Sequence, residues 1–236
     1  TAPHAYFELH IEQGPVLEDQ GVTIGAVTGV QGISWTEVTV TGQSAHAGTT
    51  PMRLRHDPGF VAAAITTGVR AIATAMAGTQ VATVGRCEFH PNLVNVVPAT
   101  VTLTVDLRNT DEGLLQRAEE VFAALCEQLA GEECVTIERR TLARFQPVEF
   151  DESMIGLVES TARALGHTTM RMPSGAGHDA QMLARVCPTG MIFVPSVDGL
   201  SHNIAEYTTP ADVVAGADVL LQVVLAAAGA HSAAVH

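Results

Sequence analysis

Ten histidines in an acidic chain raise the question of metal chemistry first, because imidazole is the commonest neutral ligand for zinc-like ions. Four of them stand apart. His10 closes an apolar strand-like run and is followed by Glu12-Gln13-Gly14-Pro15. His46 lies in Ser44-Ala45-His46-Ala47-Gly48-Thr49-Thr50-Pro51, His178 in Ser174-Gly175-Ala176-Gly177-His178-Asp179, and His202 in Gly199-Leu200-Ser201-His202-Asn203. A histidine just past a strand and beside glycine is expected to show its ring at the carboxyl edge of a sheet, where open α/β folds bind ligands. Spacing alone gives no metal signature, since neither H-E-x-x-H nor C-x-x-C occurs. His4, His56, His90, His167, His231 and His236 lie in loops or near the ends and carry no partner pattern. Arg108 could pair bidentately with a carboxylate through its planar fork; it could equally be a surface charge or a member of an ion pair. Asn95 could hold a substrate or simply turn the chain before Val96-Val97-Pro98. Glu12 has the look of a base beside His10, but it is not expected to act as one.

These residues need elements to position them. Trp35 to Thr41 alternates apolar and polar, the period of a half-buried strand. Asp57-Pro58 starts a helix running to Ala77, an N-cap followed by proline in the first turn. Val81 to Phe89 and Ala99 to Arg108 read as strands, Asp111 to Leu129 as a helix, and Val135 to Leu142 as a strand again. The order over 33–143 is β-α-β-β-α-β, a split βαβ or ferredoxin-like module. Residues 1–32 read as short strands and turns. After Phe150 come a helix (Met154 to Leu165), the glycine loop, a helix (Asp179 to Arg185), an apolar strand (Gly190 to Val194) and a final helix from Pro210 to Ala228. That alternation predicts a parallel α/β layer. The expected fold class is therefore α/β: part of a larger α/β domain, made of 1–32 and 144–236, with the ferredoxin-like module of 33–143 inserted in it. His231 to His236 read as a frayed tail.

Composition narrows the partners. Of 236 residues, 47% are hydrophobic and 16% charged, so the chain can bury a sizeable core. The formal net charge of -13 argues against nucleic acid or an anionic membrane, though a local pocket could still hold an arginine for an anionic substrate. No run of about 18 uninterrupted apolar residues is present, so no membrane span is expected. Four cysteines without a C-x-x-C pair read as reduced thiols of a cytoplasmic protein. The strand-like start at Ala5 to His10 leads to the expectation that something upstream is missing.

Six short motifs occur in order: E-L-H-I-E-Q-G-P-V-L-E (Glu8 to Glu18), S-A-H-A-G-T-T-P-M (Ser44 to Met52), N-V-V-P (Asn95 to Pro98), D-L-R (Asp106 to Arg108), S-G-A-G-H-D-A (Ser174 to Ala180) and S-H-N (Ser201 to Asn203). Together, over nearly the whole chain, they resemble the N-carbamoyl-L-amino-acid hydrolases, β-ureidopropionases and allantoate amidohydrolases, which belong with the di-metal hydrolases of aminoacylase and carboxypeptidase type. The resemblance implies a catalytic metal-hydrolase domain with an inserted domain that forms a homodimer. It implies two divalent metal ions, zinc or manganese, cobalt or nickel, with His10 a ligand in one half of the site and His202 a ligand of the second metal. It implies that His46 reaches a catalytic cleft, often the partner subunit's, and steadies the oxyanion. Gln13, Asn95 and Arg108 would hold the substrate, and Gly175, Ala176 and Gly177 would let the backbone approach it. His178 is expected to anchor that loop rather than bind metal.

The same resemblance shows what this sequence does not supply. The family draws a His-x-Asp pair, a bridging aspartate and two adjacent glutamates, one a metal ligand and one the general base, from a segment upstream of His10; no His-x-Asp occurs here. An intact relative would direct an activated water at the ureido carbonyl and release ammonia, carbon dioxide and the free amino acid. This chain alone is expected to fold and dimerise with little or no activity. For the substrate, allantoate-type relatives tend to carry a basic pair where this chain has Gly32-Ile33-Ser34-Trp35-Thr36. A tryptophan cannot pair with a second anionic group, which favours an N-carbamoyl amino acid. The alternatives are an allantoate amidohydrolase, a peptidase of the same superfamily, and a non-catalytic dimerisation or binding remnant.

Overall fold

The computed structural model describes residues 3–229; the tail expected at 231–236 lies outside the described residues. The chain opens with β1 (Tyr6–Ile11), α1 (Val16–Gln20) and β2 (Ile24–Val30). Then come β3 (Gly32–Thr41), β4 (Ala45–His46), α2 (Pro58–Met76), β5 (Val81–His90), β6 (Val96–Val97), β7 (Thr100–Asn109), α3 (Glu112–Glu133) and β8 (Thr136–Phe145). It closes with β9 (Val148–Glu149), α4 (Glu152–Ala164), β10 (Thr169–Ser174), α5 (Asp179–Leu183), β11 (Thr189–Val194) and α6 (Pro210–Ala227). The chain divides into two compact units, residues 32–147 and the two flanks together.

In the 32–147 unit, four antiparallel strands lie in the order β5-β7-β3-β8, and the chain order is β-α-β-β-α-β. Strict alternation along β7 buries Val101, Leu103, Val105 and Leu107 against α2 and α3. Val61, Ile65, Val69 and Ile72 of α2 and Leu115, Ala118, Phe122 and Cys126 of α3 complete this core at helical spacing. Each fully buried Val or Leu contributes about 1.5–3 kcal/mol. Both helices begin where an aspartate can satisfy free amides. Asp57 Oδ1 accepts from Gly59 N–H at 2.9 Å, and Asp111 Oδ1 accepts from Leu114 N–H at 2.7 Å. The unit ends at Pro147 rather than at 143, because β8 continues past Leu142 to pair Phe145 with Ile33.

The flanking unit is built on β1-β11-β2-β10, with β9 beside β2. Here the expectation of a parallel layer needs correcting. β1 runs parallel to β11 and β10 parallel to β2, but β11 and β2 are antiparallel, so the sheet is mixed. β11 is buried along its whole length, as a central strand should be. Its Met191, Ile192 and Phe193 meet Val27, Val158, Val219 and Val223 in the second core. At Gly29 a Cβ would sit 2.2 Å from the Val148 carbonyl oxygen, so only glycine lets β9 approach β2. At Gly216 it would meet Leu9 and Val194 within 2.7 Å, which is how α6 comes down onto β1 and β11.

Two helices, α2 and α6, are long and apolar enough by length and composition to cross a bilayer, with mean hydropathy 1.4 and 1.6. Each instead lays one side against a sheet, and core helices share that composition.

Candidate active site

His10 lies inside β1 rather than beyond it, on the same side as Tyr6 and Glu8. Its Nδ1 is 2.8 Å from the Ile11 carbonyl oxygen. A carbonyl only accepts, so Nδ1 carries the proton and Nε2 keeps its lone pair. That is the usual form of a metal-bound histidine, with the far nitrogen donating to a backbone carbonyl.

The His10 ring meets His178 edge-on, with ring centroids 4.7 Å apart, and His178 also packs on Phe193 at 5.7 Å. His10 and Phe193 are the next-to-last residues of β1 and β11, so His178 sits at the carboxyl ends of those two strands. His178 Nε2 lies 2.7 Å from Ser174 Oγ, which also accepts the Ala176 amide at 3.1 Å. The residue thus ties down the loop that it follows. Burial, with the neighbouring His10 second, pushes the His178 pKa down to about 4. At neutral pH the ring is uncharged, so its 3.6 Å approach to Glu8 Oε1 is not an ion pair. Glu8 has other work: Oε2 accepts the Ala180 amide at the start of α5 at 2.8 Å.

Glu12 is no free base. Its two carboxylate oxygens accept the Val16 and Leu17 amides, each at 2.8 Å, and cap α1. Gln13 follows with a left-handed backbone, φ +61°. Its amide donates to Ser196 Oγ at 3.0 Å and its side chain to Ser201 Oγ at 3.1 Å, which ties the turn after β1 to the loop after β11. That loop carries His202, exposed and also left-handed at φ +54°. Its amide donates to Glu206 Oε2 at 3.0 Å. The Ser201 hydroxyl and then this amide hold the Glu206 carboxyl below the usual carboxylate range, with smaller contributions from the His202 and His10 charges. Around Gly175 and Gly177 an added Cβ would find only Gln31 Oε1 and Gln181 Oε1, both at 3.8 Å. The unit's own packing does not demand glycine at either position.

In the 32–147 unit, β4 and β6 pair His46 with Val96, which sets Asn95 beside the His46 loop; the Ala47 amide donates to the Asn95 carbonyl at 2.9 Å. The Gly48 amide donates to His46 Nδ1 at 3.0 Å. Nδ1 is thereby the acceptor, and the neutral ring keeps its proton on Nε2, ready to donate. Arg55 clamps the same loop through the Thr50 and Ala47 carbonyls, at 3.1 and 2.5 Å. Arg108 is an ion-pair member: its Nη2 is 2.6 Å from Asp106 Oδ2 and its Nε 3.0 Å from both carboxylate oxygens. Its guanidinium carbon lies 5.9 Å from the Trp35 ring centroid, a cation–π distance. Trp35 and Asp106 face each other across β3 and β7, on the side of the sheet away from α2 and α3.

The sequence reading misses Glu8, Ser174, Ser196, Glu206 and Asp106 as partners. Two carried a local signal: Glu8 is two residues from His10 on one strand face, and Asp106 is two from Arg108. Ser196 and Glu206 carried none, because their work depends on contacts through the fold.

The flanking unit brings the His10 and His178 rings together, and the 32–147 unit carries His46, Asn95 and the paired Arg108. Comparison with known proteins supplies the family. The chain belongs to peptidase family M20/M25/M40, whose model matches residues 1–226 and whose members are generally di-metal dependent. It is 44% identical to an N-carbamoyl-L-amino-acid amidohydrolase of Rhizobium meliloti, over 94% of this chain and 53% of that protein. It is 38% identical to an allantoate amidohydrolase of Escherichia coli K12, over 92% and 53%. Among solved structures, an amidase of the hydantoinase/carbamoylase family from Burkholderia multivorans superposes with a TM-score of 0.93 at 43% identity, covering 96% of this chain and 55% of that one. The chain spans about half the length of the curated relatives it matches.

The residues present fit part of a two-metal site. The His10 donor arrangement suits a divalent ion. The number of donors does not complete one: among the described residues no group of three or more His, Cys, Asp or Glu is placed to hold a metal, and a catalytic zinc takes three protein ligands and a water.

Proposed function

We propose that this protein is a metal-dependent amidohydrolase that cleaves the ureido C–N bond of N-carbamoyl-L-amino acids, taking up one water and giving the amino acid, ammonia and carbon dioxide. The observation that carries the reading is the His10 ring, with its Nδ1 proton committed to Ile11 and its Nε2 lone pair left for a metal. His10 and His202 would each hold a divalent ion, zinc or manganese, cobalt or nickel, which when bound supplies Lewis acidity and an acidified water. His46 presents Nε2–H, the donor that steadies a developing oxyanion. Arg108, fixed by Asp106 and Trp35, meets the substrate carboxylate; Asn95 and Gln13 hold its polar groups, and the Gly175-Ala176-Gly177 backbone comes close to it.

Trp35 beside Arg108 supports the carbamoyl substrate, because a ring there offers no charge to a second anionic group. The allantoate amidohydrolase relative supports allantoate as the second substrate reading. The shortage of ligands supports a third proposal, that the chain by itself is a non-catalytic remnant with little activity. A homodimer would form through the inserted unit, where Phe60 at the start of α2 is exposed and β5 is an open sheet edge. Four free thiols accord with a cytoplasmic setting.

The test is ammonia release from N-carbamoyl-L-amino acids and from allantoate by the purified chain after dialysis against manganese or zinc. The expected result is a rate far below that of a full-length relative, with any residual turnover favouring the carbamoyl substrate. Turnover near a relative's would overturn the proposed inactivity of the chain, and a preference for allantoate would overturn the substrate.

A further inference from the structure

The flanking sheet ends in two edge strands, β1 and β10, that are finished differently. β10 carries Pro173, which has no N–H to offer, and Arg171, held by Glu152 and Glu159 at 2.7 and 3.0 Å. Proline and charge are common means of keeping an edge from recruiting another strand. β1 has no proline, lysine or arginine, and its carboxylate, Glu8, is spent on the Ala180 amide. The Tyr6 and Glu12 amides donate to the Pro188 and Val194 carbonyls, both at 2.9 Å, so the even-numbered residues face β11. Phe7, Leu9 and Ile11 then turn their amides the other way, and among the described residues no strand meets them. α6 lies over this edge, with Gly216 set against Leu9 and Val194. On the sheet side it buries Ala215, Gly216, Val219 and Val223. Val213, Val214, Ala217, Leu221, Val224 and Leu225 share a second arc about 120° wide, and all are exposed. Asp218 and Gln222 lie beyond that arc, which carries no charge. A helix apolar on two faces is built to be covered on both.

Length points to what covers it. The chain spans 53% of its Rhizobium meliloti relative and 55% of the Burkholderia multivorans structure, so nearly half of each lies outside the match. We propose that the open edge of β1 and the outer face of α6 form one docking surface, occupied by the polypeptide that makes up the rest of the relatives' length. That polypeptide adds an extended segment along Phe7 to Ile11 and lays an apolar face on Val214 and Leu221. A second copy of this chain would instead pair β1 with itself, antiparallel across a two-fold axis, and the relatives' remaining length would have no place on this edge. The surface stands whether or not His10 or His202 takes a metal.

The test co-expresses the full chain with the part of the Rhizobium meliloti relative outside the match. The same two polypeptides are also joined as one chain, so that solubility of the free piece does not decide the outcome. Sedimentation should give a one-to-one complex. Hydrogen exchange at the Phe7, Leu9 and Ile11 amides should be fast in the chain alone and slow in both the complex and the joined chain. Val214→Glu with Leu221→Glu should barely move the thermal midpoint of the chain alone, since both sites are exposed. The pair should weaken the complex by about 10-fold or more, because each carboxylate must shed its water on docking. Gln222→Glu, off the apolar arc, should leave affinity unchanged. Fast exchange at those three amides in the joined chain would overturn the proposal, as would a complex indifferent to the two glutamates. Self-association of the chain alone that protects the same amides, and that the two glutamates abolish, would give the surface to a second copy and overturn the proposed occupant.

Discussion

The two units keep their buried polar groups and their strained backbone in different places. In the 32–147 unit, buried polar side chains satisfy each other away from His46 and Arg108, as Asn109 Nδ2 does by donating to Gln80 Oε1 at 2.9 Å. Its left-handed non-glycine residues, Ala77 and Cys134, both sit at helix C-caps. In the flanking unit three of the buried polar groups, Glu12, Ser174 and Ser196, brace loops around His10, His178 and His202, while Thr189 donates to the Cys187 carbonyl. The left-handed non-glycine residues Gln13, Asp198 and His202 lie in the turn after β1 and the loop after β11. Strain at a helix end is a by-product of stopping the helix. Strain in two loops joined by the Gln13–Ser201 hydrogen bond has to be maintained by specific bonds, and two of its three residues, Gln13 and His202, have candidate roles. The difference separates a scaffold that supports itself from one whose local geometry is spent on a site.

The comparison can be broken most severely through the cores. Phe193→Ala should cost about 3–5 kcal/mol and Leu103→Ala about 2–5 kcal/mol. Urea unfolding followed by signals from each unit should show each loss mainly in the unit that carries the change. Equal loss in both units from either variant would mean that they unfold as one cooperative body.

The next effect is in acid and belongs to the flanking unit. In the folded chain burial holds the His178 pKa at about 4, below its ordinary value of 6.5. Above 6.5 the ring is neutral in both states and costs nothing. As pH falls from 6.5 toward 4 the unfolded chain takes up a proton that the folded ring refuses, so the metal-free chain loses stability across that window. His178→Gln should flatten this dependence, measured as midpoint denaturant concentration against pH; an unchanged slope would mean that His178 titrates normally.

Third, Glu12→Ala leaves the Val16 and Leu17 amides without their acceptor and should cost about 1–3 kcal/mol. Thermal unfolding reads the loss, and Glu12→Gln should recover part of it. The smallest effect sharpens the contrast in strain. Cys134→Gly at the end of α3 should stabilise by about 1 kcal/mol, because glycine suits the left-handed cap. Gln13→Gly relieves similar strain but forfeits the bond to Ser201, so its net gain should be smaller. A larger gain at Gln13 than at Cys134 would remove the distinction drawn between the two units.

Much of the 32–147 unit is legible in the sequence. Alternation places β3, β5, β7 and β8 within a few residues, and Asp57 and Asp111 mark where α2 and α3 begin. Caps and periods are local, so they survive being read one segment at a time. In the flanks, α1 has five residues and takes its cap from Glu12, outside the usual N-cap position. Pro173 interrupts the alternating Met170 and Met172 of β10 and hides that strand. Strand direction is not local at all: helix–strand alternation predicts a parallel sheet, and β2 lies antiparallel to β11 between two parallel pairs.

The sequence by itself determined the residue types available for chemistry, the periods that make the elements, and the motifs that place the chain in its family. Only the tertiary structure decided that the His178 ring meets His10 edge-on, that Glu12 is used up as a cap, that Arg108 is held by Asp106 and Trp35, and that Gln13 is tied to Ser196 and Ser201. The physical reason is distance along the chain. The Glu8 carboxylate meets the Ala180 amide and the Gln13 amide meets Ser196 Oγ across more than 170 residues, and no local pattern records which strand ends a mixed sheet will bring together.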